Sequence, residues 1–143
     1  MATYTAPRVD EYELSIKQAH SGGLTGEYFN NRWLYGEPAS TQLDHTVDLQ
    51  WDADGAVVTE SGDEFGSIRW TGYIQPAFDE VYTFTVYVND GLKLWVGDEL
   101  LIDEYENEVD DSVDGYAEFS ATTSNALTAN QLVAMKIEYQ EKF

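Results

Sequence analysis

Val81-Tyr82-Thr83-Phe84-Thr85-Val86-Tyr87-Val88, then Asn89-Asp90-Gly91, then Leu92-Lys93-Leu94-Trp95-Val96: this stretch decides the fold class of the chain. β-Branched and aromatic residues dominate the first run, and alternation puts Tyr82, Phe84 and Val86 on one face, which is the period of a half-buried strand. Asn-Asp-Gly is a turn-forming cluster, because Asn and Asp hydrogen-bond to nearby backbone and Gly tolerates positive φ. A strand resumes at Leu92, so the two runs read as a hairpin or a tight corner. Gly97-Asp98 turns the chain again, into Leu100-Leu101-Ile102.

Outward from this centre, strands are expected at Leu24 to Phe29, Thr46 to Trp51, Ser67 to Ile74, Ala117 to Thr123 and Val133 to Tyr139, separated by Gly, Asn, Asp, Pro or Ser clusters. That spacing of short strands predicts an all-β, antiparallel β-sandwich with little or no helix. The segment from Leu34 to Gln42 carries Gly36 and Pro38 and reads as loop. Residues 1–21 hold one strand-like run, Tyr12 to Ile16, and end at Ser21-Gly22-Gly23, so they read as an appendage to a main domain over 22–143. Glu104 to Asp114 is an acidic loop with little apolar content.

The chain has 143 residues, the size of one ordinary domain. Its 27 acidic residues against 7 basic ones give a formal charge of -20, a field that repels nucleic-acid phosphates and anionic membrane surfaces. Nucleic acid is therefore excluded as a partner. The carboxylate excess suits cations, a salty medium or plain solubility. With no cysteine, thiolate catalysis, disulfides and cysteine-ligated zinc are excluded. No apolar run approaches the ~20 residues of a membrane helix, so no membrane insertion is expected. Met1 to Asp10 lacks a basic-then-apolar secretory pattern, so Met1 reads as the start of an excerpt or of a chain whose signal is absent.

Several phrases line up in order with one known module. Gly23-Leu24-Thr25-Gly26-Glu27-Tyr28-Phe29 resembles its opening strand, and Ser67-Ile68-Arg69-Trp70-Thr71-Gly72-Tyr73-Ile74-Gln75-Pro76 resembles its Arg-Trp-x-Gly signature. Tyr82 to Val96 is similar to its strand, acidic corner and strand, with Leu101-Ile102-Asp103 and Ile137-Glu138-Tyr139 in the expected places. By these motifs the chain, over about residues 22–143, resembles the lectin-like module named after the anthrax protective antigen.

The resemblance implies a jelly-roll-type sandwich carried in large modular surface proteins, including adhesins, flocculins, glycosidases and toxins. In the family's lectin members, two successive aspartates joined by a cis peptide hold a calcium ion that chelates sugar hydroxyls. Calcium takes six to eight oxygen ligands and so can share its shell between carboxylates and a neutral diol. Carried over, the pair falls at Asn89 and Asp90, the implied metal ligands, although the first of them is an amide here. An amide oxygen ligates calcium with less charge than a carboxylate. The bland reading is that Asn89-Asp90-Gly91 only makes a turn, which its composition suits equally well.

In the family, the loop after the Ile-x-Tyr strand supplies further ligands and leads to a last strand, whereas this sequence ends at Lys142-Phe143. The expectation is a sandwich one strand short, its gap filled by Tyr12 to Ile16 or by a strand from a neighbouring domain or copy at an open sheet edge. Alternatively, Asp10 to Ile16 resembles the closing strand of a preceding immunoglobulin-like repeat, making the chain an excerpt from a longer multidomain protein.

Two other aspartate-rich runs invite a calcium-loop reading. Asp110-Asp111-Ser112-Val113-Asp114-Gly115 has oxygens at loop positions 1, 3 and 5 and Gly at 6, but Ala121 stands at position 12, where a bidentate Glu is needed. Gln50 to Gly55 fails likewise, with Ser61 at that position. Asp110, Asp111 and Asp114 are retained as candidate ligand neighbours, with Asp103; the default is a solvated loop. His20 and His45 are the only imidazoles and neither lies in a nucleophile motif, so no catalytic residues are assigned.

Trp51, Trp70 and Trp95 lie in strand patterns and are expected in the core. Trp33 follows Asn30-Asn31-Arg32 in a loop and is a candidate for stacking on a sugar ring, the bland alternative being that it folds back on the sandwich. Arg69 is expected to pair with a carboxylate inside the sandwich. The expected function is non-catalytic, calcium-dependent binding of glycans or cell-surface carbohydrate by an extracellular or cell-surface adhesion module. The competing expectation is a structural spacer or assembly domain of a filament or matrix.

Overall fold

The computed structural model describes residues 22–48, 57–58, 64–106 and 116–141. The appendage over 1–21, Trp51 and the three loop aspartates Asp110, Asp111 and Asp114 lie outside these residues. Among the described residues there are ten strands: β1 (Leu24–Phe29), β2 (Ser40–Asp44), β3 (Val57–Val58), β4 (Glu64–Phe65), β5 (Ser67–Ile74), β6 (Thr83–Val88), β7 (Gly91–Val96), β8 (Glu99–Asp103), β9 (Ala117–Thr122) and β10 (Val133–Gln140). There is no helix among the described residues.

Six strands form one antiparallel sheet in the order β2-β1-β5-β10-β7-β8, while β6 pairs with β9 and β3 with β4. The larger sheet turns Tyr28, Ile68, Trp70, Leu92, Leu94, Val96, Ile102, Ile137 and Tyr139 inward, all buried, and Phe84, Val86, Val88, Phe119 and Ala121 of the β6–β9 layer pack against this cluster. The arrangement is an all-β sandwich, as expected. The driving force is apolar area removed from water, so truncating a central residue such as Leu94 costs about 2–5 kcal/mol.

Two expectations change. Residues 46–48 are not in a strand, and the rest of the strand expected there lies outside the described residues; β2, Ser40–Asp44, instead overlaps the segment read as loop. Its residues are mostly polar and exposed because it is the outermost strand beside β1, where a ladder rather than burial holds it. Of the two readings of the central runs, hairpin or tight corner, the structure has the corner: β6 bonds to β9 while β7 bonds to β10 and β8, so Asn89-Asp90 crosses between layers. Trp95 points away from the core, on the face shared with Lys93, and Lys136 Nζ lies 3.6 Å from its ring centroid. Trp70 is 3% exposed, as expected of a core residue.

Candidate functional site

The corner forms because Val88 ends one layer buried and Gly91 begins the other, leaving two residues to cross between them. Gly91 is required by close approach: a Cβ there would stand 2.2 Å from the Tyr105 carbonyl oxygen. All described peptide bonds are trans, Asn89–Asp90 included, where the resemblance implied cis; for a non-proline residue cis costs about 3 kcal/mol.

Four oxygens converge at this corner. The Tyr139 hydroxyl, at the end of β10, donates to Glu141 Oε2 at 2.8 Å and lies 3.4 Å from Asp90 Oδ2 and 3.5 Å from Asn89 Oδ1. Glu141 is 5% exposed, and burial, with Asp90 adding to it, raises its carboxyl to about 7 against the lowering effect of the Tyr139 hydrogen bond. Burial and the Glu141 carboxylate likewise raise the Tyr139 hydroxyl far above the ordinary phenol range, keeping it a donor.

Such a donor set of two carboxylates, an amide and a phenol is made of hard oxygens and suits calcium better than a softer metal. Among the described residues no cluster of three or more His, Cys, Asp or Glu is placed to hold a metal, so protein carboxylates alone do not fill a shell. Asn89, Asp90 and Glu141 are the residues that would hold a calcium ion, with solvent or ligand hydroxyls completing its coordination.

The other candidates fall elsewhere. Asp103 stands opposite Lys93 on the edge strand β8, its Oδ1 3.5 Å from Lys93 Nζ, and is not gathered with Asp90 and Glu141 into a cluster. Arg69 pairs with Glu138 at 3.1 Å and Glu27 at 3.7 Å on the outer face of the sheet, not inside the sandwich as expected, because the register turns it away from Trp70 and Ile68. Trp33 is 71% exposed and does not fold back on the sandwich. Sequence reasoning missed Glu141 and Tyr139 as site residues. A signal existed for Glu141 alone, since it follows the Ile-x-Tyr strand, where the resemblance implied further ligands.

A two-layer antiparallel sandwich places this chain in the class of all-β sandwich modules. Residues 20–142 match the PA14 domain, and the chain belongs to that family. It is 33% identical over 94 residues to the anti-sigma-I factor RsgI3 of Acetivibrio thermocellus, a match covering 66% of this chain and 14% of that protein. A solved anti-sigma factor domain-containing protein is 29% identical with a TM-score of 0.69, over 89% of this chain and 40% of its own. A β-glucosidase of Kluyveromyces marxianus, solved in complex with glucose, is similar in fold, with 24% identity, TM-score 0.61 and coverage of 86% and 15%. The chain thus spans a minor part of each of these relatives.

Proposed function

We propose that this domain is a non-catalytic carbohydrate-binding module that works outside the cell or at its surface, and that it grips sugar hydroxyls through a calcium ion held by Asn89, Asp90 and Glu141. The observation that supports this best is the crowding of Asp90 and Glu141 around one hydroxyl, with Glu141 pushed up to about 7 by burial and by its neighbour. Two carboxylates packed together repel each other, and a divalent cation between them turns that cost into binding energy. Calcium keeps open coordination positions for a vicinal diol, which a neutral sugar offers and side-chain charge alone cannot hold. The relatives named as anti-sigma factors, of which this chain spans a minor part, favour a place for the module within a longer chain.

Isothermal titration with calcium, then with a panel of monosaccharides in calcium, tests the proposal. Calcium heat that disappears in Asp90→Ala, together with sugar heat that needs calcium, is the expected result. Identical titrations of the wild type and Asp90→Ala would refute it.

A further inference from the structure

The loop between β1 and β2 is held far more firmly than a connection needs. Asn31 Oδ1 accepts from the backbone N–H groups of Trp33 at 3.0 Å and Tyr35 at 3.1 Å, while its Nδ2 donates to the Tyr35 carbonyl at 2.8 Å. Leu34 N–H donates to Ser67 Oγ at 3.2 Å, and that fully buried hydroxyl donates to the Asn31 carbonyl at 2.5 Å. Leu34 itself sits at φ 53°, a left-handed conformation that costs a non-glycine residue about 1–2 kcal/mol. What this scaffold presents is Trp33, 71% exposed, and Tyr35, 81% exposed, the two most exposed large hydrophobic side chains among the described residues. A buried serine and a strained leucine spent on holding two aromatics in water are the mark of a preorganised contact rather than of packing.

The loop lies at the same end of the sheet as the Asn89-Asp90 corner. Ser67, which anchors it, pairs with Gln140, and Gln140 pairs with Gly91, the residue after the corner. Two strand spacings separate Ser67 from Gly91, roughly 10 Å, more than one pyranose ring spans. Tyr105 bridges the interval, its carbonyl accepting from Gln140 Nε2 at 2.5 Å and its hydroxyl donating to the Arg32 carbonyl at 3.4 Å.

Resting on the carbohydrate reading of the corner, we infer that Trp33 and Tyr35 form a second subsite that stacks on the apolar face of sugar rings beyond the one at the corner, so that the ligand is an extended neutral glycan chain. Aromatic rings recognise the C–H face of a pyranose by area and by the polarity of their π-system. A chain charged -20 disfavours uronate or sulfated polymers.

Native affinity gels of the full chain, cast with galactomannan, xyloglucan or mixed-linkage β-glucan, and with polygalacturonate as the acidic counterpart, test this in calcium and in chelator. The wild type is expected to be retarded by at least one neutral polymer. A Trp33→Ala/Tyr35→Ala double variant should lose about tenfold or more of that affinity, while its thermal midpoint, calcium heat and monosaccharide heat stay as in the wild type. Asn31→Ala, which frees the loop but keeps both rings, should lose part of the same gain. Retardation that survives in chelator and vanishes in the double variant upholds the aromatic subsite even if the calcium reading fails. Equal mobility of wild type and double variant, retardation by polygalacturonate alone, or no neutral polymer that retards the wild type overturns it.

Discussion

Glu141 carries the sharpest consequences at the scale of a single residue. Its folded carboxyl titrates at about 7 against an ordinary 4.5, so the protonated form is the one the fold prefers. The stability it contributes is full below about pH 4.5 and is lost as pH rises through about 7, a loss of roughly 2–3 kcal/mol without a cation. Thermal melts in chelator should therefore fall between pH 5 and 8, and Glu141→Gln should flatten that fall. A cation competes with the same proton, so calcium affinity should rise about tenfold per pH unit up to about pH 7 and then level off. Titration calorimetry at several pH values reads this directly; a pH-independent affinity would mean that Glu141 does not ligate.

At the scale of elements, β2 is held to β1 by its backbone ladder and tied further, through Asp44, to side chains of β1 and β5. Asp44 accepts from Trp70 Nε1 and from the Tyr28 hydroxyl, each at 2.7 Å, and a Cβ on Gly26 would collide with the same carboxylate oxygen at 2.3 Å. Asp44→Ala should cost about 2–4 kcal/mol in urea unfolding, since it leaves the polar ends of two buried side chains, Tyr28 and Trp70, without their charged acceptor. A loss under 0.5 kcal/mol would show that water replaces it freely. β2 is also the element that hydrophobic patterning passed over. β1 and β5, rich in apolar and aromatic residues, were legible with their ends intact, because burial leaves its period in the sequence. An edge strand of Ser, Thr, Gln, Leu and Asp carries no such period, and its partner is set by the ladder. Alternation also assigns Trp95 to the side of Lys93, so the residue type suggested the core while the period had already denied it. Whether the Asn89-Asp90-Gly91 turn closes a hairpin or crosses between sheets depends on β9 and β10, which local sequence does not contain. The corner itself was legible, whereas for Glu141 the sequence offered only its position after the Ile-x-Tyr strand, and the placement of β10 brings it to the corner.

Across the whole molecule the balance of charge matters most. A formal charge of -20 on 143 residues makes self-repulsion a general destabilising load. Raising sodium chloride from about 0.01 to 0.15 M shortens the screening length from about 30 to 8 Å, and the thermal midpoint should rise by a few degrees. Calcium should raise it further at constant ionic strength, because a site-bound ion stabilises by mass action beyond screening. A crystal structure of the domain grown with calcium decides whether the corner holds the ion. The expected result is an ion 2.3–2.6 Å from oxygens of Asn89, Asp90 and Glu141, with the remaining coordination positions open to solvent or sugar. An empty corner in which the Tyr139 hydroxyl still donates to Glu141 would contradict it.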